Sequence, residues 1–500
     1  MNRRGFLGLT GMLAAGAFPA LGQGRGQGTG QHKIRLGVTL EPPGLDPTVS
    51  ASSSISEVCL YNVYETLTKI TPEGEVVPLL AKRWDVTPDA CSYTFYLEEG
   101  VLFHNGEAFN ANTVAFTLKR AGADGSTNKD RGFYSNIRHI NVIDDYTIGI
   151  ELVDGDADFL FKLGMGTAVM LEPESARQNR TNPVGTGPYV LQRWRRGIAI
   201  VLRKWEGYRD AARIMLEEAM FLFISDPYAQ MASLLANDVD VFARAAVARS
   251  LPAFERQQGR FKVLVSNSRA KTLMSMNNRR APLNDVRVRR AITAAIDRDA
   301  VIESAADGYG VPIGSHYTPE MPGYVDMTGV TLYDPEYARA LLKEAGVVTP
   351  LKLSFILPPA PYARQGGEVI AAMLAKVGIE LKIQNVEWAQ WLSQVYTQHD
   401  FDLSMVSHVE PLDLDSYTQD HYYWGYQSEA FNGLYRRIQS TLPGDERNGL
   451  LAQAQELLAH DAVNVWLYQP RWITVANAHV KGLWHEMPIF VNDLSVMAWQ

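Results

Sequence analysis

Residues 351–408 read LKLSFILPPAPYARQGGEVIAAMLAKVGIELKIQNVEWAQWLSQVYTQHDFDLSMVSH. Within this stretch LKLSFIL (351–357), ELKIQNV (380–386) and FDLSMVSH (401–408) read as strands, and EVIAAMLAKVGI (368–379) carries apolar residues at helical spacing. Strand, helix, strand, strand is α/β wiring. In open sheets of this kind the strands end at ligand crevices.

Upstream, DVRVRRAITAAIDRDAVIESA (285–305) and DPEYARALLKEAG (334–346) continue the helical periodicity, the second stopping at Gly346. Before about residue 270 the chain is different. HKIRLGVTL (32–40) is an alternating strand with Ile34, Leu36 and Val38 on one face, and short strands recur at YTIGIEL, YVLQRW and IAIVLRKW. The segment from Ser92 to Ala121 reads as strand, turn at Asn105-Gly106, and helix capped by the Asn110-Ala-Asn112 segment. After about residue 473 the pattern returns to short strands and turns. An ending that resembles the beginning predicts a discontinuous first lobe, residues 33–268 plus 473–500, with a second lobe, 269–472, inserted. The 500 residues exceed what one core usually supports, in agreement with two units.

MNRRGFLGLTGMLAAGAFPALG (1–22) has a basic start, an apolar middle and a small-residue exit, the order of an export leader. Arg3-Arg4-Gly5-Phe6-Leu7 resembles the twin-arginine signal, and no cysteine follows the leader to carry a lipid. Residues 23–32 form a Gly-rich linker, so the expected location is the periplasm. The formal net charge of −8 argues against nucleic acid as a partner. Cys59 and Cys91 suit an oxidising compartment, and the expectation is two unpaired buried thiols.

Residues 407–427, SHVEPLDLDSYTQDHYYWGYQ, carry the chemistry. Glu410, Asp413, Asp415 and Asp420 lie between His408 and His421, followed by Tyr422, Tyr423, Trp424 and Tyr426. Counted from Asp413, a calcium loop would need Gly and Glu where Thr418 and Trp424 stand. The His and acid spacing matches no compact transition-metal pattern, so no metal is assigned. A carboxylate pair for hydrolysis has nothing else in support, and neither a G-x-S-x-G elbow nor a phosphate loop occurs. Two readings remain open. In one, the carboxylates neutralise a ligand ammonium beside aromatic faces; in the other, this is a surface loop whose aromatics pack into the core.

Several segments in order resemble periplasmic solute-binding proteins of family 5, which bind peptides or nickel for ABC importers: LDPTVS, WDVTPDACSYTFYLEEGVLFHNGEAFNANTVAFTLKR, NPVGTGPYVL, LLANDVDV, RVRRAITAAIDRDAVI, YDPEYARALLKEAG and MLAKVGIELKIQNVEWAQW. The resemblance covers nearly the whole mature chain. It implies an α/β, type II-like clamshell of two lobes with an extra subdomain at about 69–180 in lobe one, no catalysis and no cofactor. The implied function is capture of a small oligopeptide or other amine-bearing solute for membrane permease subunits with their ATPases, by a monomer. A metal-chelate carrier using His408, His421 or Arg364 is the alternative, and an exported hydrolase using Glu410 and Asp413 is the competitor. The acid that would hold the ligand amine is matched by Glu410, with Asp413 second. Tyr422, Tyr423, Trp424 and His408 complete the expected cradle. Relatives place an arginine just before a Pro-Tyr pair to hold a peptide carboxylate; here Ala360 precedes Pro361-Tyr362 and Arg364 follows.

Overall fold

The computed structural model describes residues 32–500 except residue 51. The leader and all but the last residue of the linker lie outside the described residues. Among the described residues no helix is long and apolar enough to cross a membrane.

The largest sheet has twelve strands, and its order explains how distant segments meet. At one end lie the parallel strands Leu351–Leu357 and Ile379–Asn385, then Leu403–His408, Lys271–Met276 and the long strand Asn464–Asn477. On the far side of that long strand stand Val241–Phe242, Lys33–Val38, Glu218–Phe223, Ala199–Lys204 and Tyr189–Arg195. Asn464–Asn477 therefore belongs to both halves. Its first part pairs with Lys271–Met276, and its last part pairs with Phe261–Asn267.

Two apolar cores flank this shared strand. One gathers Ile34, Leu36, Val38, Phe221 and Val241 with Trp484, Val491 and Leu494 of the C-terminal tail. The other gathers Met274, Ile292, Phe355, Ile370, Leu374, Met405 and Val465. A separate four-stranded antiparallel sheet, Ala81–Val86, Ser92–Leu97, Thr147–Leu152 and Ile137–Asp144 in spatial order, is covered by the helix Ala111–Gly122 and has its own core around Phe95, Leu118 and Ile150. Asn110 caps that helix by accepting hydrogen bonds from the Asn112 and Thr113 amides.

The helical periodicity of 285–305 forms two helices, Val286–Ala294 and Arg298–Ala306, the second capped by Asp297, which accepts from the Asp299 and Ala300 amides. The stretch between Asn385 and Leu403 adds a helical passage, Trp388–Thr397, not anticipated between the last two strands. The glycines of NPVGTGPYVL serve close backbone approach. A Cβ at Gly185 or Gly187 would collide with the carbonyls of Val63 and Asn62. Cys59 and Cys91 are free, Cys59 buried and Cys91 half-buried.

Candidate functional site

The strand Leu403–His408 pairs antiparallel with Lys271–Met276 so that Lys271 stands opposite His408. This register brings a lysine to the acidic loop from more than a hundred residues away. The Lys271 side chain is 0% exposed. Its ammonium donates to Asp413 Oδ1 at 2.6 Å and to the Glu410 carbonyl at 2.5 Å. His408 Nδ1 lies 3.0 Å from Asp413 Oδ2 and its Nε2 lies 2.9 Å from the Tyr423 hydroxyl. His316, from a segment the sequence did not single out, places Nε2 2.9 Å from Asp413 Oδ1 and Nδ1 2.9 Å from the Tyr417 hydroxyl. Asn464 Nδ2 in turn donates to that hydroxyl at 3.2 Å.

The protonation states follow from this geometry. Burial holds the His316 imidazole down at about 4, so it is neutral at neutral pH. Burial works against ionisation of Asp413, but His316, Lys271 and the hydrogen bonds from both histidines hold its carboxyl well below the usual range. With His316 neutral, the charge responsible is the Lys271 ammonium. One acid and one ammonium cancel, and His408 bridges Asp413 to the Tyr423 hydroxyl. Asp413 therefore has no charge left for a ligand amine, contrary to its place as second candidate.

Of the described residues, His316, His408 and Asp413 bring ligand-type atoms within 4.8 Å of one another. A divalent cation there would face the Lys271 ammonium, already 2.6 Å from the same carboxylate. The donor set does not fit a metal. His421, expected as a possible chelate contact, is exposed and outside the cluster.

The aromatic run also divides. Trp424 is 0% exposed and stacks on Tyr417 with ring centroids 4.6 Å apart; Tyr423 is equally enclosed. Both are core residues beneath the loop rather than walls open to a ligand, because their rings interlock with Phe401, Tyr417 and Trp391. Tyr422 is half-buried at the edge of this cluster. Arg364 lies in the first turn of the helix Pro361–Lys376 and faces Glu387 at 3.7 Å.

Glu410 is 48% exposed, and its carboxylate lies 3.4 Å from Lys129 of the segment following the helix Ala111–Gly122. Its charge thus has a partner across a seam between the four-stranded subdomain and the second half of the chain. Other contacts stitch the same seam: Arg447 to Asp158 at 2.7 Å, and the Ala157 amide to the Gln439 carbonyl at 2.8 Å. Asp415 lies on the same loop, in the turn Leu414–Tyr417. Its carboxylate accepts from Gln419 Nε2 at 3.1 Å and has no ion-pair partner among the described residues. Burial, reinforced by the Asp413 charge, raises its pKa, and Lys162 opposes this through space.

Residues 75–429 match the family described as bacterial extracellular solute-binding proteins, family 5 Middle. The chain is 29% identical over 388 residues to the dipeptide-binding protein of Escherichia coli strain K12, covering 71% of each. It is 28% identical over 382 residues to heme-binding protein A of Haemophilus influenzae, covering 70% of this chain and 69% of that one. Its fold is that of the periplasmic binding protein AgaA from Agrobacterium in complex with agropinic acid, with a TM-score of 0.81 at 22% identity over 94% of this chain and 99% of that one. With residues 75–429, more than half its length, matched, the chain belongs to the bacterial extracellular solute-binding proteins of family 5.

Proposed function

We propose that this protein is the periplasmic substrate-binding component of an ABC importer, and that it captures a small oligopeptide or another amine-bearing solute between its lobes. The lobes divide near residues 268 and 473, and residues 69–180 extend the first. The mature chain begins after the leader, acts as a monomer and hands its solute to permease subunits. Similarity to the dipeptide-binding protein of E. coli supports the peptide reading.

The observation that carries it is the unpaired Asp415. Of the four acids in the loop, Asp413 is neutralised by Lys271, Glu410 is paired with Lys129, and Asp420 is exposed. Asp415, half-buried, is the one of the four that is neither exposed nor in an ion pair among the described residues. A half-buried carboxylate of this kind favours an incoming ammonium, which would replace the solvation it loses as the cleft dries. Asp415 thus replaces Glu410 as the amine partner in this reading.

A thermal-shift screen of peptides, amines and metal chelates identifies the solute through ligand-induced stabilisation. Asp415→Asn is then compared with the parent by calorimetry. A loss of about 2–5 kcal/mol in binding is expected for truncating one side of a buried charge pair. Unchanged affinity in the variant would reject Asp415 as the amine partner, and a screen answered only by metal chelates would reject the amine-bearing solute.

A further inference from the structure

Arg269 immediately precedes the strand Lys271–Met276, and it is 6% exposed. Its guanidinium lies over the Phe161 ring at 5.3 Å and against Gly74, where a Cβ would run into it. Phe161 and Gly74 belong to the first part of the chain and Arg269 to the second. The group is therefore enclosed by both sides of the seam.

Yet it forms no ion pair or side-chain hydrogen bond among the described residues. The acids that act on it are engaged elsewhere: Asp158 holds Arg447 at 2.7 Å, and Glu320 accepts from the Gln469 amide. Tyr317, also buried, is the remaining polar neighbour. Burial lowers the guanidinium pKa, which states the same cost in another form. A buried arginine is ordinarily paired, and its planar fork matches a carboxylate through two parallel hydrogen bonds. The aromatic face beneath offsets only part of the desolvation.

We infer that Arg269 receives a carboxylate of the solute, so that the ligand carries an anionic end as well as an amine. The inference rests on the proposed inter-lobe site and adds a second anchor to it. Asp415 and Arg269 both lie along the seam, and a zwitterionic ligand would neutralise each without altering the protein's own pairs. This assigns the carboxylate to the head of an interior strand, Lys271–Met276, rather than to Arg364, which faces Glu387.

The test uses the mature protein and a panel of di- and tripeptides as free acids and as C-terminal amides, titrated calorimetrically. The free acids are expected to bind about ten- to a hundredfold more tightly than the amides, the range of charge-assisted hydrogen bonds to one group. Arg269→Met should collapse that difference while leaving the ligand-free protein no less stable, because it removes an unpaired buried charge. Arg269→Lys, which keeps the charge and loses the fork, should fall between, and it carries the readout if the methionine variant does not fold. Equal binding of acids and amides, or a difference preserved in the Arg269 variants, overturns the inference and leaves the amine reading standing. If no peptide binds, the amine reading fails and N-acetyl amino acids, with a carboxylate but no amine, decide: acid-selective binding lost in the variants supports Arg269, and no binding overturns it.

Discussion

Replacing Lys271 by Met tests whether the acidic loop is held from below. The ammonium makes two short contacts, 2.6 Å to Asp413 Oδ1 and 2.5 Å to the Glu410 carbonyl, in a place with no solvent access to its side chain. Met fills much of the volume but leaves the Asp413 carboxylate without its ammonium, beside the neutral His316 imidazole. Removing one partner of such a pair costs about 3–5 kcal/mol, far more than an exposed pair would. The assay is urea unfolding at neutral pH, read by both fluorescence and circular dichroism so that coincident transitions can be checked. A cycle with Asp413→Asn and the double variant then isolates the coupling. The double variant should recover part of the loss, because the stranded charge is gone. The sign with pH is also fixed. Asp413 has a depressed pKa in the folded state, so its stabilisation is present above the ordinary aspartate range near 4 and is lost as pH falls through the lower folded value. The reasoning fails if Lys271→Met costs under about 1 kcal/mol, the level of a surface pair, or if Asp413→Asn has the same effect with and without the lysine.

Trp424→Ala should lower stability by about 3–5 kcal/mol by opening a cavity in the aromatic core, measured by the shift in urea midpoint. Glu410→Gln should cost no more than about 1 kcal/mol and the effect should fade in high salt, since the pair with Lys129 is half-exposed. His316 titrates near 4 in the folded protein against about 6.5 when unfolded, so its contribution is present above 6.5 and is lost as pH falls from there through about 4. His316→Asn should flatten the stability profile over that window; an unchanged slope would show that the imidazole is not held neutral.

The architecture of the second half was legible because strand and helix periods are local properties. The run from Leu351 to His408 declared its strands and its long helix without reference to anything distant. The site was not legible for the converse reason. Asp413 is defined by Lys271 and His316, and neither lies near it in sequence; only the antiparallel register that sets Lys271 opposite His408 brings them together. Tyr423 and Trp424 read equally well as a ligand face and as core, because composition does not say which side of a loop is covered. One signal was available: SRAKTLMSM places Arg269 and Lys271 two residues apart where the chain enters the buried strand Lys271–Met276. Two cations entering a buried strand together demand partners.

The strand Asn464–Asn477 carries a mechanical implication. It is hydrogen-bonded to Lys271–Met276 along one stretch and to Phe261–Asn267 along the next, with Pro470, which has no amide hydrogen, at the changeover. Any separation of the two sides must therefore be absorbed as elastic bending and twisting of one continuous ribbon, since a free pivot would require its ladders to break. Such a ribbon stores work as it deforms and returns it on relaxation, like a leaf spring clamped at both ends. Its stiffness, set by how many rungs lie on each side of the proline, would fix the resting aperture of the cleft and the force with which it shuts.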